Sequence, residues 1–192
     1  RGAEIATRFP AQALAGAVQK LLAAGKAGET SSCGRLFDAA AGLIGLGAAQ
    51  SFEAEAAMRL EAMAGQAGPL AFQAPDPSDG LTLSPLPLLA ACLESAPAEA
   101  ALRFHLSLAQ GLAGLAMQAA ELTGLRQVAL TGGCLANALL AQALCDHLRA
   151  CGLHVLMHRL SPPGDGGLAL GQAYAAGLWE EREPCALQPL QG

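Results

Sequence analysis

A glycine-rich segment at 130–137 is the first place where residue types and spacing point to chemistry. A short apolar run ends in Gly132 and Gly133, and a helical pattern follows at once, with Asn137 near its start. Glycines let a backbone approach a ligand closely, and free N–H groups at a helix N-terminus attract phosphate. Asn137 adds a donor and an acceptor for a sugar or base. The segment predicts a nucleotide loop without the Gly-Lys-Ser/Thr ending of a Walker loop. A tight turn with no ligand fits the local pattern equally well.

A second loop, 161–167, reads SPPGDGG and precedes another helical pattern. Its Asp165 lies between glycines, where the carboxylate could ligate a metal or accept a hydrogen bond from a hydroxyl. Taken alone, the simpler interpretation is that Asp165 caps the following helix.

A third segment, 31–38, reads SSCGRLFD, and either Ser31 or Ser32 can cap a helix. Asp38 follows Gly34 by one helical turn, so both can line one surface. Arg35 and Asp38 could alternatively form only a local ion pair.

The elements around these segments predict how they come together. A strand at 126–133, a helix at 135–152, a strand at 153–158 and a helix at 167–179 form a series typical of a right-handed parallel βαβ unit. Ligands of open α/β sheets bind at the carboxyl ends of the strands. We therefore expect the Gly-Gly and Asp-Gly-Gly loops to open on one edge.

The rest of the chain predicts helices at 11–25, 34–46, 87–94 and 98–123. A further helix follows Ser51 as its N-cap, with Glu53 and Glu55 in its first turn. LAFQ and LTLS read as two short strands around the turn PDPSDG. Ala and Leu are abundant and Val and Ile few, which favours helices. The predicted fold class is α/β, predominantly helical, with a small mixed sheet and a C-terminal parallel βαβ unit.

Composition excludes several function classes. The net charge of −5 and the pI of about 5.3 disfavour direct nucleic-acid binding. No uncharged apolar run of 18 residues suggests a membrane span, and no secretory signal is visible. The six cysteines form no C-x-x-C pair, so we expect no zinc knuckle and a chain with reduced thiols in the cytoplasm. The chain starts with Arg, and we interpret it as a piece of a longer protein.

Five segments in this order resemble the C-terminal part of HypF-type hydrogenase maturation carbamoyltransferases: SSCGRLFDAAAGLIGL, FEAEAAMRLE, RFHLSLAQGLA, VALTGGCLAN and PPGDGGLALGQA. The resemblance covers residues 30–178. The resemblance implies a fold that is one lobe of the actin-like, sugar-kinase and Hsp70-like ATPase superfamily, similar to tRNA threonylcarbamoyl transferases. It implies a second transferase lobe at 1–180 and a C-terminal tail at 181–192. One departure is Ala54, where the family usually has Gly.

The resemblance also implies a reaction. Carbamoyl phosphate and ATP give carbamoyl-adenylate, and the carbamoyl group passes to the C-terminal cysteine of a HypE-type partner, where it becomes the cyanide ligand of nickel-iron hydrogenase. This lobe would hold the nucleotide, as ATP or AMP, and would be inactive alone. Residue by residue, the resemblance assigns nucleotide contacts to Gly34, Asp38, Glu53, Gly132, Gly133 and Asn137. It assigns one ligand of an interlobe divalent metal to Asp165.

No catalytic nucleophile is expected within this chain, because the attacking cysteine of the family comes from the partner. Cys134 is therefore interpreted as incidental to transfer, although its place in the glycine loop favours a thiolate. His105 is interpreted as a structural helix histidine. His154 and His158 are interpreted as strand-surface residues, since a four-residue offset in a strand spans about 13 Å.

Two other function classes remain open. One is a lobe of a tRNA threonylcarbamoyl transferase, an RNA-modifying enzyme. The other is a non-catalytic module that docks a maturation partner.

Overall fold

The computed structural model describes residues 9–10, 12–26, 28–47, 49–70, 78–79 and 81–182. The helices are α1 (Ala15–Ala23), α2 (Cys33–Ile44), α3 (Glu55–Ala64), α4 (Leu86–Ala91), α5 (Pro97–Thr123), α6 (Ala138–Ala150) and α7 (Leu168–Arg182). The strands are β1 (Ser78–Asp79), β2 (Thr82–Leu83), β3 (Gln127–Leu130) and β4 (His154–Met157). The predominantly helical α/β class predicted from the sequence is confirmed.

Helix α5 is the centre of the core. Its 27 residues span about 40 Å at the rise of an α-helix, and α2, α3, α4 and α6 all pack against it. Phe104 of α5 meets Phe37 of α2 edge-to-face, with ring centroids 5.1 Å apart, a geometry that aromatic pairs prefer. The largest fully buried side chains are Phe37, Leu60, Leu88, Phe104, His105, Leu108, Leu140 and Leu148.

The ends of α2 follow directly from the sequence. The Ser32 side chain accepts a hydrogen bond from the Arg35 N–H, so Ser32 is the N-cap. Gly45 ends the helix with a left-handed φ of +87°, a conformation that suits glycine. Both predicted ends are confirmed.

The start of α3 differs from the prediction. The helix begins at Glu55 with Ala54 at the N-cap position, so Ser51 is not the cap and Glu53 precedes the first turn. The Ser51 N–H instead donates to the Glu55 carboxylate, and this bond lowers the pKa of Glu55. A carboxylate reaching back to the backbone thus replaces the hydroxyl cap.

The strands form two separate two-stranded sheets in place of one mixed sheet. Strands β1 and β2 are antiparallel. Part of LTLS is β2, but β1 lies within the predicted turn PDPSDG, and positions 71–73 of LAFQ lie outside the described residues. Strands β3 and β4 pair in parallel, with Val128 opposite Val155. Helix α6 connects them, so the βαβ unit is confirmed.

Helix α7 extends to Arg182, beyond the predicted boundary at 180. Residues 183–192, most of the predicted tail, lie outside the described part of the chain, and the bounds 1–180 and 181–192 stay predictions. No helix among the described residues is long and apolar enough to cross a membrane.

Candidate functional site

A cleft of about 600 Å³ lies where the start of α2, the start of α3 and the two glycine-rich loops meet. It brings together nearly all of the residues that the sequence singled out from four distant segments: the lining includes Gly34, Asp38, Glu53, Gly133, Asn137 and Asp165. Gly132 directly precedes the lining residue Gly133. The predicted convergence of these segments is therefore found in the structure, while the ligand contacts assigned to them stay predictions.

The two glycine loops pack against each other at the edge of the parallel sheet. The Gly132 N–H donates to the Pro163 carbonyl at 2.7 Å, and Gly132 has a φ of +109°, which disfavours any side chain. A Cβ added at Gly164 would lie 3.1 Å from the Gly133 Cα. Gly132 and Gly164 are thus needed for the turn and for loop packing. An added Cβ at Gly133 meets no described atom within 4 Å.

His158 also positions these loops. It follows strand β4, and its Nε2 lies 3.1 Å from the Thr131 hydroxyl, while its Nδ1 lies 3.3 Å from the Ser161 hydroxyl. The exposed imidazole thus connects one loop to the other. His154 lies within β4 and is exposed, as predicted for a strand-surface residue.

Asn137 has a structural role that the sequence did not predict. Its Oδ1 accepts from the Leu140 N–H at 2.8 Å, which makes it the N-cap of α6. Its Nδ2 lies 3.0 Å from Nε2 of buried His105. Since Oδ1 is committed to the cap, Nδ2 donates and the His105 Nε2 accepts. Its buried side chain is thus held by protein partners.

His105 is a core residue, as expected of a structural histidine. It is fully buried, and its Nδ1–H donates to the Ala101 carbonyl at 2.7 Å. Burial lowers the pKa of His105, and its acceptor role at Nε2 requires the neutral ring.

Glu61 occupies the N-terminus of α6, where the sequence suggested a phosphate site. One of its carboxylate oxygens accepts from the N–H groups of Ala138, at 2.7 Å, and Leu139, at 3.2 Å. With Asn137 capping Leu140, the first three N–H groups of α6 are satisfied by side chains. A carboxylate of the chain itself thus takes the place at which the sequence suggested an anion, and the phosphate contact stays a prediction.

Negative charge dominates the lining of the cleft. Asp38, Glu53, Glu61 and Asp165 all line it, and Arg35 is the one cationic side chain among the described lining residues. Arg35 pairs with Asp38 at 3.1 Å, and the Gln50 amide donates to the other Asp38 oxygen at 2.9 Å. Carboxylates accept hydrogen bonds from hydroxyl groups and repel phosphate. The cleft is suited to a ribose and base more than to a polyphosphate.

Asp165, which was predicted to bind a metal, is not part of a complete set of metal ligands among the described residues. The described residues hold no group of three His, Cys, Asp or Glu side chains placed to bind a metal ion. Asp165 is exposed at the cleft and begins the 3-10 turn Asp165–Gly167. It could supply at most one of the ligands of such a site.

A family model described as carbamoyltransferase, Kae1-like domain, second subdomain, matches residues 3–172. The chain belongs to this carbamoyltransferase family. The identification predicted from the five motifs is confirmed, and so is the α/β lobe.

Curated relatives agree with the family. The chain is 39% identical over 206 residues to carbamoyltransferase HypF2 of Cupriavidus necator, a match covering 92% of this chain and 26% of that protein. It is 46% identical over 148 residues to carbamoyltransferase HypF of Rhizobium leguminosarum bv. viciae, covering 76% and 20%. The chain thus spans about a quarter or less of the length of these carbamoyltransferases.

Solved structures of the family have the same fold. The HypF of T. kodakarensis superposes with a TM-score of 0.75 at 31% identity, covering 86% of this chain and 22% of that one. A full-length HypF in a phosphate- and nucleotide-bound form gives a TM-score of 0.73 at 28% identity, covering 86% and 23%.

Two residues of the site escaped prediction from the sequence. Glu61 is the last residue of the FEAEAAMRLE motif, yet it caps a helix 77 residues further along the chain. His158 follows a strand by one position. The available signal was a polar residue at the last position of a motif or at the end of a predicted strand, but only the tertiary structure shows the partner of each.

Proposed function

We propose that this chain is the half of a carbamoyltransferase domain that holds the nucleoside part of an adenine nucleotide. The supporting observation is the convergence of Gly34, Asp38, Glu53 and Gly133 on one cleft. A relative of the same fold has been solved with phosphate and nucleotide bound. In this proposal the exposed Glu53 carboxylate and Asp38 accept hydrogen bonds from ribose hydroxyls.

The glycine loop has a different task in this proposal. The positive φ of Gly132 sets the direction of the turn, and Gly133, which has no side chain, lets the ligand approach the backbone. Asn137 holds the turn in place through its cap and its bond to His105, rather than binding the nucleotide through its buried amide.

Calorimetric titration with AMP tests the nucleoside site. Gly133→Val should weaken binding by about tenfold or more, because the added side chain narrows the cleft, while its Cβ meets no described atom within 4 Å. Gly114→Ala is the matched control, since a Cβ at this α5 glycine also meets no described atom. Asp38→Asn should weaken binding too, and exposed Asp146→Asn on α6 should not. Equal affinity of wild type and Gly133→Val contradicts the site.

For the longer protein we propose the reaction expected from the motifs. Carbamoyl phosphate, ATP and water give carbamoyl-adenylate, with release of phosphate and pyrophosphate. A cysteine thiolate of a HypE-type partner then attacks the carbamoyl carbon, and AMP leaves. Positioning and charge stabilisation suffice for such a transfer, so no nucleophile of this chain is needed. The similarity to proteins named HypF supports this branch over an RNA-modifying one.

Transfer of labelled carbamoyl groups to a HypE-type protein tests this assignment. The 192-residue chain alone should transfer none, because the described residues supply one side of a nucleotide cleft and no complete metal set. Labelled partner in the presence of this chain as sole enzyme contradicts the proposal. In the longer protein, Cys134→Ala should leave transfer intact.

A further inference from the structure

Two cysteines from distant segments meet beside the cleft. Cys33 is the first residue of α2, and Cys134 lies in the 3-10 turn Gly133–Ala136 that follows Gly132. Helix α2 contacts this turn, and Ser32 and Gly34, on either side of Cys33, line the same cleft as Cys134. The two thiols are close enough to interact. Both side chains are half-buried, so a small reagent can reach them.

The contact makes the two thiols unequal. Hydrogen bonding by the Cys33 thiol lowers the pKa of Cys134 to about 7, and the same interaction raises the pKa of Cys33. At neutral pH a large fraction of Cys134 is therefore thiolate, the form that attacks a disulfide. Cys33 keeps its proton beside it, in the place of a resolving thiol.

We propose that Cys33 and Cys134 form an intrachain disulfide when the protein meets a low-molecular-weight disulfide such as glutathione disulfide. The Cys134 thiolate attacks one glutathione sulfur, and the S–S bond breaks to release one glutathione thiolate. Cys33 then loses its proton to that thiolate, and its sulfur attacks the Cys134 sulfur and expels the second glutathione. Two protein thiols are oxidised and one glutathione disulfide is reduced to two glutathione molecules.

The other described cysteines lack this arrangement. Cys92 and Cys145 are buried, and their thiols donate to the Leu88 carbonyl and the Met157 sulfur. Cys151 is exposed and has no described cysteine beside it. Selective oxidation of the Cys33 and Cys134 pair is the expected result.

The bond would tie the start of α2 to the glycine loop. Gly34 follows Cys33 and Gly133 precedes Cys134, and both glycines line the cleft. A disulfide between Cys33 and Cys134 restrains the two walls of the cleft that carry Gly34 and Gly133. It also displaces the Cys134 thiol from the lining of the cleft. Weaker nucleotide binding after oxidation follows, a consequence that rests on the proposed function; the disulfide itself does not.

Peptide mapping tests the disulfide directly. The protein is incubated with glutathione disulfide, alkylated and cleaved after Lys and Arg, so that Cys33 lies in peptide 27–35 and Cys134 in peptide 127–149. A linked pair of these peptides, with the bond assigned to Cys134 rather than Cys145 by fragmentation, is expected. Alkylated Cys33 and Cys134 after this treatment, or a bond to another cysteine, overturns the proposal.

A variant separates the two thiols. Cys33→Ser should stop at a glutathione adduct on Cys134, whereas Cys134→Ser should leave Cys33 unmodified. Because the wild-type map decides the question alone, poor folding of either variant leaves the proposal testable.

AMP titration before and after oxidation, with reversal by dithiothreitol, is a separate readout: a mapped disulfide with unchanged AMP affinity refutes only the effect on the cleft. Absence of AMP binding to the reduced protein refutes the proposed function instead.

Discussion

Helices α5 and α7 have similar compositions and opposite environments. Both are rich in Ala, Leu and Gly. Phe104 of α5 is 1% exposed among helices on several sides, whereas Trp179 of α7 is 75% exposed. Among the described residues, α7 makes more than a few contacts only with the 3-10 turn that begins at Asp165. Composition therefore predicts that both segments are helices, and the neighbouring elements decide which one forms the core.

This difference in burial distinguishes the helices around the cleft from the surface formed by α7 and β4. Helices α2, α3, α5 and α6 bury one another and hold the cleft, while α7 and much of β4 present apolar side chains to solvent. Exposed apolar surface of this kind is typical of interfaces. The helical core, in contrast, has the contacts that it needs within this chain.

The largest expected effect contrasts the two helices directly. Phe104→Ala should lower the free energy of unfolding by about 3–5 kcal/mol, because it opens a cavity against Phe37 and His105. Trp179→Ala, which removes an even larger side chain, should change it by less than about 0.5 kcal/mol. Urea denaturation followed by circular dichroism gives both values. A comparable loss in the two variants would show that α7 is part of the core.

Glu61→Ala should have the next largest effect. It removes the carboxylate from two N–H groups and from the positive end of the α6 dipole, at a cost of about 1–2 kcal/mol. Glu61→Gln keeps an acceptor oxygen and should lose less. Exposed Glu121→Ala on α5 is the control, measured in the same denaturation series. If Glu121→Ala costs as much as Glu61→Ala, the cap contributes no stability.

The sequence predicted the helices and the βαβ unit because their signals are local. Ser32 and Gly45 mark both ends of α2, and Val128 and Val155 mark the paired strands. That Gly34, Asp38 and Asp165 belong to one site was implied by the resemblance of the five motifs to a known family. The local predictions needed only periodicity and cap chemistry.

What escaped prediction depends on contacts between distant segments. Glu61 is an ordinary polar residue in the sequence and caps α6 only because the fold brings the end of α3 to the start of α6. Asn137 caps α6 locally, but its bond to buried His105 requires the packing of α5 against α6. The hydroxyl of Ser51 was a reasonable cap for α3, but the helix begins four residues later, at Glu55, whose carboxylate accepts from the Ser51 N–H. Which of several neighbouring polar residues starts a helix is decided by backbone geometry, which a single sequence does not carry.

The pH dependence of stability should also follow the buried core. Burial lowers the pKa of His105, against weaker opposing contributions from the Ala101 carbonyl and the Glu61 charge. The unfolded chain therefore takes up a proton below about pH 6.5 that the folded chain does not bind, so the free energy of unfolding falls as the pH falls below that value. Above it both states are neutral at this residue and its contribution is fully present.

Unfolding of wild type and His105→Gln at pH 7.5 and pH 5.5 measures this contribution. The wild type should lose more stability on acidification than His105→Gln does. His154→Gln, at an exposed position in β4, should behave as wild type. Identical pH dependence in wild type and His105→Gln would show that the core accommodates the charged ring.

The smallest expected effect is at the wall of the cleft itself. Ala54 has a φ of +62° and is the one non-glycine residue with positive φ among the described residues. An L-residue pays about 1 kcal/mol in this conformation, and glycine offsets part of the gain through its freedom in the unfolded chain. Ala54→Gly should thus stabilise the protein by about 0.5–1 kcal/mol, as measured by thermal and urea denaturation.

Ala54 also lines the cleft beside Glu53, so the same variant bears on the ligand. Removing its methyl group widens the cleft without altering a carboxylate, and AMP affinity should stay the same or rise. Gly65→Ala at the other end of α3, where φ is −63°, is the matched opposite change and should not destabilise the protein. Destabilisation by Ala54→Gly would mean that the Ala54 methyl group makes contacts worth more than the backbone strain. Alanine at position 54, where the family usually has glycine, would then stabilise the start of α3 rather than strain it.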